Sequence, residues 1–415
     1  MIGVACALLA GLSACSSPKV VRVAAPLMEM SSPYQAHKDW QLQVDAFNYS
    51  DSEGLYFGRD GDAVYFGVPS GTITKALIQP QGSWTDQVVW QKKLSEAVVS
   101  GPSFYNNTLI VGTAKGHLMA LSQSDGSIVW QTPMSSEVLS RAVIEDGMIF
   151  VRTVDGKLYS VNAETGEVNW VVEHPLPNLS LRGIAPVTYD DGTLYVGWES
   201  GKVEALDALT GEQRWQVAVV IPRGRTDLER MVDIQAALIM RGGRLFVLGY
   251  HGKLVALNPD NGNLYWAKEI SGFRDFLIDP QALYVVDDDD IVYAIDYVNG
   301  TPLWKQEGFK YRQLADPIFY GEHQLLLADD LGYIHWVDKL DGTAVARVKL
   351  GSDYGTSERI VRVDAVGERI FVQDTDGFNT AYTIQPSDWY RFNRPQDPLG
   401  IMTQATEPKH TKDTP

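Results

Sequence analysis

The chain has 415 residues, 45% of them apolar and 21% charged, a composition that supports a large hydrophobic core. Its 52 acidic and 35 basic residues leave a net charge of −17, which argues against binding nucleic acid or anionic lipid through a basic face. The two cysteines, Cys6 and Cys15, supply neither a disulfide framework nor a thiolate metal site.

Residues 1–14 form an apolar run of small residues, too short to span a bilayer as a helix. With Cys15 they end in Leu12-Ser13-Ala14-Cys15, which resembles a bacterial lipobox. That resemblance implies a signal peptide over 1–14, cleavage before Cys15 and attachment of lipid to Cys15. Ser16, rather than Asp, follows the cysteine, which implies the outer membrane, with the protein facing the periplasm. Cys6 leaves with the signal, so the mature chain forms no intrachain disulfide. Residues 15–39 mix Ser, Pro, Ala and Met without period and read as a flexible tether behind the lipidated terminus.

From residue 40 to residue 384 the chain repeats one unit. Its clearest copy, residues 192–216, reads GTLYVGWESGKVEALDALTGEQRWQ. Apolar and polar residues alternate along three short segments separated by glycine turns, the signature of half-buried strands in a meander. Further copies lie at 109–130, 148–170, 245–266 and 283–304, with a weaker one at 63–90. A copy at 325–347 has Arg347 in the tryptophan position, and a partial copy spans 370–384. The tryptophans at 90, 130, 170, 215, 266 and 304 are 40, 40, 45, 51 and 38 residues apart, the length of a propeller blade. The expected fold is all-β: an eight-bladed β-propeller of four-stranded blades. The strand-like run at 40–47 completes the partial last copy and closes the ring without exposed edges. Residues 385–415 leave the repeat as a polar, Pro-containing tail expected to be disordered.

The remaining motifs carry little chemistry. Seven scattered histidines lack the spacing of a metal site. Asp287, Asp288, Asp289 and Asp290 lack the glycine and alternate spacing of a calcium loop and read as a solvated hairpin tip. Residues 249–253 (GYHGK) are too short for a phosphate loop and precede a strand, so they read as a turn. Residues 174–186 (HPLPNLSLRGIAP) and 221–235 (IPRGRTDLERMVDIQ) do not follow the repeat. Insertions between blades collect on the faces of propellers, where partners bind.

The tryptophan-bearing repeat resembles the blades of quinoprotein (PQQ-type) propellers. The L-S-L-R-G of residues 179–183, the lipobox and the LGYIHW of residues 331–336 bring the resemblance to the BamB family, lipoproteins of the outer-membrane β-barrel assembly (Bam) machinery. It implies a non-catalytic scaffold without cofactor that assists folding and insertion of outer-membrane proteins. It also implies docking on a periplasmic POTRA domain of BamA, the company of the other Bam lipoproteins, and contact with unfolded outer-membrane protein strands. Leu179 and Leu181 would be exposed apolar anchors and Arg182 a forked donor. Asp233 matches the first carboxylate of that family's acidic pair and would hold Arg182 or a basic partner group. Gln235 replaces the second, keeping an acceptor and losing the charge. For Leu179 and Leu181 the residues alone also allow core packing on a strand, and for Arg182 and Asp233 a surface salt bridge. Two other readings stand beside the scaffold. One is a PQQ-type dehydrogenase, which typically carries a vicinal cysteine pair and long insertions. The other is a ring that binds a ligand where polar and aromatic residues converge on its channel.

Overall fold

Each sequence repeat folds into a four-stranded antiparallel blade, and eight blades form the ring of a β-propeller; the second blade also gains a short parallel strand, Gly54–Leu55, at its inner edge. The structure, a computed structural model, describes residues 22–30, 34–48, 54–79, 87–181, 184–350 and 359–386, and none of these is helical. Blades 1 to 7 cover residues 58–93, 98–133, 143–173, 188–218, 239–268, 277–306 and 318–349. Blade 8 combines residues 360–386 with the N-terminal strand Tyr34–Gln43, which pairs antiparallel with Phe378–Pro386. The expected closure is therefore present. The strand starts six residues ahead of Trp40, so the expected tether over 15–39 gives up its last part to the sheet.

Burial follows position in the blade. The second and third strands, such as Thr193–Gly197 and Lys202–Asp207, are covered almost throughout because neighbouring blades pack on both faces. Outer strands such as Ile128–Pro133 alternate exposed and half-buried residues, as one wet face requires.

The strand register explains the repeated tryptophan. Trp215 lies opposite Ala205, whereas the next pair is Leu206 with Gln213, so one extra residue bulges the outer strand beside Trp215. The same bulge accompanies Trp90, Trp130, Trp170, Trp266 and Trp304. All six indole N–H groups donate to a backbone carbonyl of the next blade: Gln123, Ala163, Ala208, Pro259, Tyr297 and Lys339, at 2.7–3.3 Å. Each ring also lies on a glycine of the following turn (Gly126, Gly166, Gly211, Gly262, Gly300, Gly342). A Cβ there would come within 3.0 Å of the indole, and φ near +70° disfavours other residues. Sequence and packing thus meet in a Trp–Gly dock between successive blades.

Blade 7 departs from this pattern, and the reading of Arg347 as the tryptophan substitute is corrected by the register. Arg347 pairs with His335, while Ala346 holds the docking position and faces Trp336, which is fully buried on the neighbouring strand. The large and small residues have changed strands, which leaves the pair's combined volume intact. In blade 8, Trp40 faces Ala381 beside the same kind of bulge. The N-terminal strand therefore supplies blade 8 with its own tryptophan.

The turn between the second and third strands of a blade and the segment joining it to the next blade share one face of the ring, here the inter-blade face. This follows from pairings such as Val292 with Gln306, which set the end of an outer strand beside that turn. The acidic run at 287–290 lies on this face but is not a solvated tip. Asp290 is buried, pairs with Arg274 at 2.9 Å and accepts the Gln313 and Leu314 N–H groups. Asp287 accepts the N–H groups of Asp289 and Ile291. The next inter-blade segment folds over these carboxylates, which the acidic run alone does not reveal.

Candidate docking site

Residues 174–181 and 184–186 lie on the inter-blade face between the outer strand of blade 3 and the inner strand of blade 4. Prolines at 175, 177 and 186 keep them out of the sheets. Leu176 and Leu179 project outward, 44% and 45% exposed, so Leu179 packs in no core. Leu181 is half-buried, and its backbone N–H donates to Asp233 Oδ2 at 3.0 Å. Arg182 and Cys15 lie outside the described residues.

Beneath the segment lies a buried polar network. Arg152, on the second strand of blade 3, is 1% exposed. Its Nη1 donates to the carbonyls of Gly197 at 2.7 Å and Ala185 at 3.3 Å, and its Nη2 to Glu199 Oε1 at 2.6 Å. The guanidinium carbon lies 4.4 Å from the centroid of a Trp198 ring, close enough for a cation–π contact. Trp198 Nε1 donates to Glu204 Oε2, and His174 Nε2 reaches the same oxygen at 2.8 Å. The His174 ring lies against Trp198 with centroids 3.9 Å apart. His174 and Ala185, near the two ends of the segment, are thus both fixed to blades 3 and 4.

Asp233 is not a surface acid. It is 1% exposed, and its main chain bridges to Tyr250. Burial, reinforced by the nearby Glu199 carboxylate, pushes its carboxyl up to about 7 against the pull of the Leu181 N–H. Its hydrogen bond ties the segment before blade 4 to the one before blade 5. Gln235, two residues on, is half-buried in the wall of the central channel. There a cavity of roughly 300 Å³ is also bounded by Leu181, Tyr56, Tyr250, Phe273 and Arg274. Polar and aromatic groups do converge on the channel, but Arg274 is engaged with Asp290 and with the Leu314 carbonyl.

The structure thus brings Leu181, Asp233 and Gln235 together at the channel mouth and leaves Leu179 on the surface. Arg152, His174, Trp198, Glu199 and Glu204 escaped the sequence reading. One signal was available: Arg152 occupies the position held by Gly67, Gly112 and Gly197 in blades 1, 2 and 4.

A family model described as "outer membrane protein assembly factor BamB" matches residues 70–306. The outer membrane protein assembly factor BamB of Escherichia coli K12 is 30% identical over 383 residues, 91% of this chain and 96% of that protein. The chain belongs to the BamB family. The Yersinia pestis member is likewise 30% identical, over 92% of this chain and 97% of its own length. Among solved structures, BamB from Moraxella catarrhalis superposes with a TM-score of 0.72 at 22% identity, covering 84% of this chain and 99% of that one. A quinohemoprotein alcohol dehydrogenase from Comamonas testosteroni superposes at 0.62 with 14% identity, over 84% of this chain and 76% of that one. The expected kinship with quinoprotein blades therefore extends to the fold, and BamB membership rests on the sequence matches. Family membership makes this chain a propeller component of outer-membrane protein assembly.

Proposed function

We propose that the protein is a non-catalytic scaffold held at the periplasmic side of the outer membrane by lipid on Cys15, and that it docks through residues 174–186 on a POTRA domain of BamA. One observation carries the docking surface: Leu176 and Leu179 stand exposed on a segment that Arg152, His174 and Asp233 tie down from beneath. Exposed apolar side chains on a pre-ordered backbone lose little entropy on binding, which is what a protein-docking loop needs. Arg182, next to Leu181 in the chain, adds a forked donor for a carboxylate or main-chain oxygens. Asp233 acts as a positioning residue for Leu181 rather than as a contact. The other Bam lipoproteins join the assembly through BamA, and unfolded outer-membrane strands are the clients of the complex.

The test is co-purification of BamA from detergent-solubilised membranes with the wild type and with Leu179→Ala/Leu181→Ala/Arg182→Ala. Circular dichroism checks that the variant is folded. Loss of BamA from a folded variant supports the reading; retention at the wild-type level moves the docking surface elsewhere on the ring. A wild type that brings down no BamA overturns the scaffold reading.

A further inference from the structure

Residues 22–30 lie against the ring although they belong to no blade. Ala25 N–H donates to the Lys310 carbonyl at 2.8 Å, and Arg312 Nη1 donates to the Ala25 carbonyl at 2.9 Å. Arg312 is itself buried and held by Asp329 Oδ2 at 2.6 Å, so the group that receives Ala25 is fixed in advance. Lower down, Arg347 Nη1 donates to the Met28 carbonyl at 3.0 Å. At the upper end Arg22 pairs with Asp289 at 3.4 Å and lies over the Tyr311 ring. Val23 and Met28 point away from the ring, 70% and 78% exposed, and Leu27 and Met30 are half-buried, so the main-chain hydrogen bonds supply the specific contacts that hold the segment.

The direction of the segment matters. Asp289 and residues 310–312 lie on the inter-blade face, with the candidate docking segments. Tyr34 pairs with Pro386, at the far end of the third strand of blade 8, and so begins on the opposite face. The chain is therefore on the inter-blade face at Arg22, beside the outer strand of blade 7 at Met28 and on the opposite face at Tyr34. From Cys15 to Arg22 there are seven residue steps, a reach of about 25 Å at full extension. From Cys15 to Tyr34 there are 19 steps, about 65 Å.

We propose that residues 22–30 form a strap bound by blades 6 and 7, and that this strap turns the inter-blade face, with its docking segments, toward the bilayer that holds Cys15. The proposal rests on the reading of Cys15 as the lipid-bearing residue. With the strap bound, the inter-blade face lies within about 25 Å of the lipid headgroups. With it released, the chain leaves from the opposite face on a tether more than twice as long, and the ring loses its preferred orientation.

The experiment uses the full, lipidated chain in vesicles carrying a headgroup energy-transfer acceptor. Acylated Cys15 leaves the mature chain without a free thiol, so a donor can be attached at Lys115→Cys or, separately, at Asn107→Cys. These positions flank the strand Thr108–Thr113 of blade 2, Lys115 on the inter-blade face and Asn107 on the other. Transfer should be stronger from position 115 than from 107, and Ala25→Pro/Arg347→Ala should remove that difference. Equal transfer in the wild type, stronger transfer from 107, or a difference that survives the strap variant overturns the proposal. Amide hydrogen exchange in an unlipidated Cys15→Ser chain tests the strap by itself. The Ala25 N–H should be protected, and exchange at the rate of an open chain overturns the strap. Failure of the wild type to float with vesicles would reject the lipid on Cys15 and the orientation built on it, while exchange at Ala25 still decides the strap.

Discussion

Six junctions around the ring are built from the same two parts, an indole N–H on a backbone carbonyl and an indole face on a left-handed glycine. Beside its dock, the junction between blades 3 and 4 adds parts that a Trp–Gly dock lacks: a buried guanidinium, two buried glutamates and a histidine ring lying tilted against a tryptophan. The docks bury apolar surface and satisfy one donor each, so they stabilise the ring at little desolvation cost. The network takes charges out of water, and such groups hold together only when every partner is present. A propeller that merely had to close would repeat the first solution at every junction. Networks of the second kind mark places where the ring fixes a non-repeating backbone in one shape: one lies under the exposed leucines, another under the segment after blade 6, where Arg312 and His335 meet Asp329.

Breaking one part of each region sharpens the contrast. Arg152→Ala strands Glu199 without its partner and removes two carbonyl contacts, so it should cost about 3–5 kcal/mol in chemical denaturation. Trp215→Ala should cost about 3 kcal/mol, because the half-buried ring leaves a void at a single dock and the Pro259 carbonyl keeps only the longer bond from the Tyr195 hydroxyl. If Trp215→Ala proves the more damaging, the buried charges contribute less than the geometry indicates.

Asp233→Ala leaves the Leu181 N–H without its acceptor and should cost about 1–3 kcal/mol. Asp233→Asn keeps an acceptor and removes the charge. The folded protein holds the Asp233 proton up to about 7, whereas the unfolded chain releases it near 3.8. The stability from this proton uptake is full below the unfolded value and lost as pH rises through 7. Asp330, raised by burial to about 6, titrates in the same direction, so the informative quantity is the difference between variants. Melting temperatures at pH 5 and pH 8 should fall further for the wild type than for Asp233→Asn; equal falls would show that Asp233 ionises normally. The smallest effect on folding belongs to Leu179→Ala, within about 0.5 kcal/mol of the wild type, since the side chain is half exposed. Binding to BamA should nonetheless weaken in a direct titration.

The blades were legible because glycine turns and tryptophans recur along the chain, and each copy reports on the next. Closure by the N-terminal strand was legible for a related reason: one blade lacked a strand and one strand lacked a blade. Register was not. Counting along the chain put Arg347 where pairing puts Ala346, because the exchange with Trp336 can be seen only across two strands. Trp40 went unrecognised as a docking residue because its blade lies at the other end of the chain. At the proposed docking site, the departure of residues 174–186 from the repeat was visible in the sequence. The burial of Asp233 was not, since it depends on three segments meeting at the channel mouth.

Blade 8 also has a consequence for how the molecule is made. The side chains of Gln41 and Thr380 share a hydrogen bond across 339 residues, so the strand that leaves the ribosome first is among the last to find its partner. Loop length itself is a mild obstacle, about 0.6 kcal/mol for each doubling. Completeness is the stricter requirement. A chain interrupted before Phe378 holds seven blades and an unpaired N-terminal strand, with sheet edges open to any other extended chain. Only the finished polypeptide can seal its own edges, so the ring doubles as a check that synthesis has run to the end.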